Sequence, residues 1–250
     1  MSRRTLRGLL ALPALGVLGA ILAWGASGLA PFGHFHGFYG QLLNAIALPQ
    51  RHTTNTVTAI VFDYRGLDTM GEELILFAAV VGVVLLLREA GHPTQQDIAR
   101  DRVHSEALRY FGVAGAALVV LVGVWLVAFG LVTPGGGFQG GVTIASGVVV
   151  LFLTAGYRSW RRLASEHALD PLEATGAAAY ITLGLATLIA GAPFLHNFLG
   201  PGKTGTLFSG GSMSLLNWAV ALEVAAANLV LYTEFLQQYV VSLVPDTGEE

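Results

Sequence analysis

The chain has 250 residues, 54% of them hydrophobic and 12% charged, with a net charge of −3. A soluble domain averages about 25% charge, so there is too little polar surface here to cover a water-soluble globule. The composition argues against a soluble enzyme or a DNA-binding module, gives no sign of a nucleic-acid partner, and excludes disorder for most of the chain.

Six apolar segments follow one another, at about 6–29, 70–87, 110–132, 142–157, 175–192 and 214–234. About 20 helical residues span the hydrocarbon core of a bilayer. Most of the segments fit, and the fourth is short. The expected fold is therefore all-α, a polytopic integral membrane protein with about six transmembrane helices. The first segment follows Arg3, Arg4 and Arg7, as a signal peptide would, and residues 26–28 resemble a cleavage site. Its apolar stretch is longer than a signal-peptide core, which favours a retained helix.

Basic residues set the orientation. With the N-terminus cytoplasmic, Arg3, Arg4, Arg7, Arg88, Arg100, Arg102, Arg109, Arg158, Arg161 and Arg162 fall on the cytoplasmic side. Only Arg51, Arg65 and Lys203 fall outside. Both termini are then cytoplasmic. The stretch 30–69 reads as a long outside loop with Pro31 and Pro49, and 88–109, with Pro93, as a charged linker. This divides the chain into a two-helix unit at 1–93, a linker at 94–109, a four-helix unit at 110–240 and a frayed tail at 241–250. No cysteine is present, which removes disulfides and thiolate chemistry.

The entry to the second segment, 61–73, carries Asp63, Arg65, Asp68, Thr69, Glu72 and Glu73. Such polarity against a membrane face has two explanations. Thr69 with Glu72 forms a capping box, acids favour a helix N-terminus, and Asp63 or Asp68 can pair with Arg65. Alternatively Glu72 or Glu73 lies inside the apolar layer and serves ion or proton relay.

The stretch 133–141, with Pro134, Gly135, Gly136, Gly137, Phe138, Gln139, Gly140 and Gly141, joins the third and fourth segments. Five glycines in seven residues read as unwound backbone. At membrane depth such backbone is tolerated where protein buries it or water bathes it. It either lines a polar path or forms a tight, closely packed turn. No Lys-Ser/Thr follows, which argues against a phosphate loop.

The sixth segment holds Glu223 near its middle, and an acid there must be protonated, paired or facing a polar cavity. Glu234, eleven residues on, returns to the same helix face about 16 Å along the axis. Asn217 and Asn228 repeat that spacing, and Ala225, Ala226 and Ala227 suit close helix packing. His34, His36 and His196 lie in outside loops. His34 and His36 have metal-ligand spacing without a clear third ligand, so no metal or other cofactor is expected.

Two of these stretches are recognisable. Residues 61–72 resemble the DFRGFDTLGE segment of multisubunit Mrp-type sodium/proton antiporters, with Tyr64, Leu67 and Met70 as conservative departures and Glu73 as an added acid. In that family the segment belongs to the end of the large A subunit, or to a small separate subunit in related membrane-bound hydrogenases. Residues 134–141 resemble the PGGGFxGG signature of the B subunit (MnhB-like). Residues 197–199, 205–209 and 217–223 resemble later parts of the same subunit.

The resemblance implies a fusion of two pieces. It implies an accessory subunit, not an enzyme, in a cation- or proton-translocating assembly of the cell membrane related to respiratory complex I. Its partners would be the other subunits and membrane lipid, with Na+ and H+ as the ions moved. The ion-route candidates are Asp63, Arg65, Asp68, Glu72, Glu73, Glu223 and Glu234, and the hinge candidates are Pro134, Gly135, Gly136, Gly137 and Phe138. The rival reading is a structural scaffold in a redox or inorganic-carbon-uptake complex, with no ion path of its own. The main proton channels of such assemblies lie in their long antiporter-like subunits, and the only lysine here, Lys203, is in a loop.

Overall fold

The computed structural model describes residues 3–29, 31–34, 37–88 and 105–242. His36, most of the 94–109 linker and nearly all of the 241–250 tail lie outside the described residues. All regular structure among them is helical. Contacts divide the chain into two compact units, 1–41 and 42–250.

The first unit holds α1, Arg3–Ser27, an apolar helix with Pro13 inside it. The expected outside loop is partly helical. Helix α2, Phe38–Arg51, runs through it because Leu43 and Ala47, four residues apart, share one buried face. Then come one turn, α3, at Thr56–Ala59, and a π-helical turn at Ile60–Tyr64.

Among the described residues, five helices are long and apolar enough to cross a membrane. They are α4, Gly66–Leu87; α5, Glu106–Ala128; α6, Gly137–Ala155; α8, Glu166–Ile189; and α9, Met213–Ser242. The short α7, Tyr157–Leu163, carries Arg161 and Arg162 in its last turn. With the shorter apolar stretch Ala11–Ser27 of α1, the expected polytopic all-α fold is present.

Helix α9 is the centre of the second unit. Two-thirds (67%) of its apolar window is buried, against 11% for α4, and α4, α6 and α8 pack against it. Glycine sets how closely α6 lies to its two neighbours. A Cβ at Gly147 would stand 2.8 Å from Val120 on α5, and one at Gly141 would stand 2.9 Å from Val224 on α9. The glycine-rich stretch is thus mostly helical, which corrects the expectation of unwound backbone. Helix propensity lost at Gly137, Gly140 and Gly141 is offset by close packing on both sides of α6.

The two ends of the bundle are distinct. At one end Arg88, just after α4, reaches acids on α8 and α9. At the other, Thr53, Thr54, Asn55 and Thr58 hold the backbone that leaves α5, and His52 meets Gly202 and Ser209. Arg51 lies at this second end, away from Arg88, as the charge asymmetry requires.

Candidate functional site

The acidic motif before α4 is built on the π-turn. Such a turn leaves carbonyls out of register with the helix that follows. The hydroxyl of Thr69 takes one of them, donating to Val61 O at 2.7 Å. Thr69 lies inside α4, which starts at Gly66, so the expected capping box is not formed. The residue at the cap is Arg65, with no side-chain capping bond. Tyr180 of α8 donates to Gly66 O at 2.9 Å and fixes the turn to the core.

Three charges of this motif, Asp63, Arg65 and Asp68, are paired locally. Arg51 pairs with Asp63, and its guanidinium stacks 5.1 Å from the Tyr64 ring centroid. Arg65 pairs with Asp68 on the exposed surface. Glu72 is exposed and borders two cavities. One, of about 170 Å³, also has Arg65, Asp68 and Thr69 in its wall. The other, of about 60 Å³, is shared with Gly135, Gly136, Gly137 and Phe138. The two motifs, some 60 residues apart in sequence, therefore meet at Glu72.

The unwound part of the glycine stretch is confined to about four residues before α6. Gly135 and Gly136 have φ of 147° and 142°, accessible to glycine and strained for other residues. Pro134 is exposed and Phe138 half-buried. The side-chain amide of Asn55 donates to Gly130 O at 2.7 Å and Thr133 O at 3.1 Å. Asn217 of α9 accepts from Gly137 N at 2.6 Å and donates to Val127 O at 2.7 Å. These bonds satisfy the orphan groups at the end of α5 and the start of α6. The tight-turn reading describes this backbone better than a free polar lining does.

Deeper in the bundle three carboxyls are buried on three helices. Glu73 on α4 is 2% exposed, Glu223 on α9 is 0%, and Glu173 on α8 is 5%. Glu73 and Glu223 are immediate neighbours. Beyond each other, no donor among the described residues reaches any of their four carboxyl oxygens, nor Oε1 of Glu173. Backbone proximity at Gly176 sets this arrangement, since a Cβ there would stand 2.7 Å from Glu223 Cα. Glu173 was missed in the sequence because it precedes the fifth apolar segment. The signal was available: Leu169, Glu173, Gly176, Tyr180, Gly184 and Thr187 recur at helical spacing and form the buried face of α8.

Glu234, also fully buried, is differently placed. Arg88 donates to its Oε1 at 2.8 Å and grips both oxygens of Asp170, at 2.8 and 3.2 Å. Glu166 lies 3.8 Å from the same guanidinium and accepts from Gln237 at 2.6 Å. The bonds to Asp170 first, then those to Glu234, hold the Arg88 guanidinium even more firmly charged than usual. Beside this cluster opens a cavity of about 410 Å³, with Tyr157, Arg161, Glu166, His167, Thr233 and Gln237 in its wall. Burial pushes the Tyr157 hydroxyl up. His34 and His196 are exposed, and among the described residues no three His, Asp or Glu side chains converge as a metal site.

Comparison with known proteins adds four findings. The family model for a domain related to the MnhB subunit of Na+/H+ antiporters matches residues 107–230. An uncharacterized protein of Methanocaldococcus jannaschii, MJ1307, is 30% identical over 234 residues, covering 85% of this chain and 87% of that one. Among solved structures, a chain of the membrane-bound sulfane sulfur reductase, an archaeal respiratory membrane complex, superposes with a TM-score of 0.68 at 27% identity. The match covers 93% of this chain and 99% of that one. A chain of the Mrp complex from Dietzia sp. DQ12-45-1b superposes at 0.65 and 23% identity. There 94% of this chain matches 26% of a longer one.

Proposed function

The chain belongs to the family of membrane proteins built on a domain related to the MnhB subunit of Na+/H+ antiporters, and from that premise we propose a multi-pass accessory subunit of an Mrp-type cation/proton antiporter complex related to respiratory complex I. It performs no chemical turnover of its own. Glu223 and Glu73 serve a mid-membrane step of ion or proton transfer, and Glu72, with Asp63 and Asp68 near it, serves the outward-facing end. Residues 1–93 and 110–240 are two ancestral pieces joined through 94–109. That nearly the whole chain matches one part of a single longer Mrp chain supports this joining.

The observation that carries the reading is the carboxyl pair Glu73–Glu223, buried on neighbouring helices with no counter-ion among the described residues. Burying an acid inside a membrane protein is expensive and typical of ion and proton pathways. The test is sodium/proton exchange by the reconstituted complex carrying Glu72→Gln or Glu223→Gln. Loss of exchange with normal assembly supports the route. Unchanged exchange removes both residues from it.

A second reading is favoured by the sulfane sulfur reductase match, which spans both chains almost completely. On that reading this chain serves a redox-driven complex. Isolating the intact complex and identifying its other subunits separates the two: antiporter subunits alone, or redox subunits beside them.

A further inference from the structure

Resting on that reading, we propose that Glu173 is a proton-carrying residue that links the Arg88 cluster at one end of the bundle to the Glu73–Glu223 pair, with the cavity beside Glu166 and Gln237 as the aqueous mouth. Four observations carry this. Glu173 is buried, and Oε1 has no donor, although it stands one helical turn from Asp170, which Arg88 holds. Glu173 is also one turn from Gly176, where α8 lies against the backbone of Glu223. Its carboxyl is within electrostatic reach of both Arg88 and Glu223. Finally, Glu234 and Glu223 are about 16 Å apart along α9, a gap no single proton transfer crosses, and on the facing helix Glu173 lies between Asp170, which shares Arg88 with Glu234, and Gly176, which meets Glu223.

The mouth meets the Arg88 cluster at Glu166. Glu166 and Gln237 line the cavity, bond to each other, and Glu166 faces Arg88. The acids beyond Arg88 do not converge on one point, as ligands of a bound cation would; they form a file. A file of carboxyls suits a proton, which needs one acceptor at a time. In each step the O–H bond of one carboxylic acid breaks and an O–H bond forms on the next carboxylate, directly or through one water. The donor becomes the carboxylate, so charge is conserved and nothing is oxidised or reduced. The proton passes from Glu173 to Glu223 and on to Glu73, whose neighbour in sequence, Glu72, borders two cavities.

The experiment uses the intact complex in proteoliposomes. Glu173→Gln is expected to lower proton-coupled exchange about 10-fold or more, Glu173→Asp to restore part of it, and Glu106→Gln, at an acid exposed on α5, to change nothing. Because Glu173→Gln can also impair assembly, the wild-type complex is treated with dicyclohexylcarbodiimide, which modifies protonated carboxyls in apolar surroundings, and mapped by mass spectrometry. Label on Glu173 is expected; absence of label overturns the proposal. Normal exchange in Glu173→Gln while Glu223→Gln is inactive overturns this inference alone. Normal exchange in both overturns the ion route itself.

Discussion

Glu73 on α4 and Glu223 on α9 face each other in the apolar middle of the bundle, and among the described residues no other group donates to either carboxyl. Two like charges cannot both persist there, because repulsion in a low-dielectric setting is large. The pair is stable only as a unit that holds a proton or a cation. Two residues acting as a unit lose function together. Glu73→Gln and Glu223→Gln are each expected to abolish most exchange, and the double variant to be no worse than either alone. Flux measurements on the three complexes check this. Losses that multiply would mean that the two acids act separately.

Glycine position, not glycine content, decides which substitutions matter. At Gly137 a Cβ would stand 2.5 Å from Asn217 O and 2.8 Å from Val220, both on the central helix. Gly137→Ala is expected to cost about 1–3 kcal/mol, the range for overpacking, seen as a lower unfolding temperature of the purified complex. Gly115→Ala is the control. Nothing lies within 4 Å of that position, so the better helix propensity of alanine makes it neutral or stabilising by up to about 1 kcal/mol.

This contrast explains what could be read in the sequence and what could not. Hydropathy locates the membrane helices, because burial in lipid acts on every residue of a span, but it ends α9 eight residues early. It placed the starts of α4 and α8 too late, since Asp68, Asp170 and Glu173 interrupt the apolar pattern while the helix runs on through them. The acids Glu73 and Glu223 stood out as costly wherever they fell. Their meeting is a tertiary fact: α4 and α9 are about 150 residues apart in sequence, and nothing local aligns them. The same holds for Asp63, whose partner is Arg51 on α2 and not the nearer Arg65.

Asn217 joins three helices through one side chain. Its oxygen takes the first amide of α6 and its nitrogen serves a carbonyl near the end of α5. Asn217→Ala leaves Gly137 N buried without a partner, at roughly 1–3 kcal/mol, while Val127 O keeps the bond from Gly130 N at 3.2 Å. Asn217→Asp keeps the acceptor for Gly137 N and loses the donor to Val127 O. The expected order of unfolding temperatures is wild type, then Asp, then Ala. Transport per assembled complex should change less than stability, because Asn217 holds the turn and not the carboxyl file. A transport loss without a stability loss would reassign it to the ion route.

Arg88 tests whether the clamp at the opposite end is structural, functional or both. Its guanidinium grips Asp170 with two bonds and Glu234 with a third contact, while Glu234 has 1% of its side chain exposed and Arg88 27%. Arg88→Ala strands Glu234 in the interior. Breaking a buried pair costs about 3–5 kcal/mol, and the partial exposure of Arg88 puts the expected value near the low end. Arg88→Lys keeps the charge and loses the planar fork, so it should recover only part of the stability. The decisive variant is Arg88→Ala combined with Glu234→Gln, which removes the stranded charge. Stability should return toward wild type in that double variant, measured by thermal unfolding of the complex. If transport returns as well, the clamp only holds helices. If stability returns and transport does not, the fixed positive charge beside Asp170 and Glu173 is itself required for proton entry.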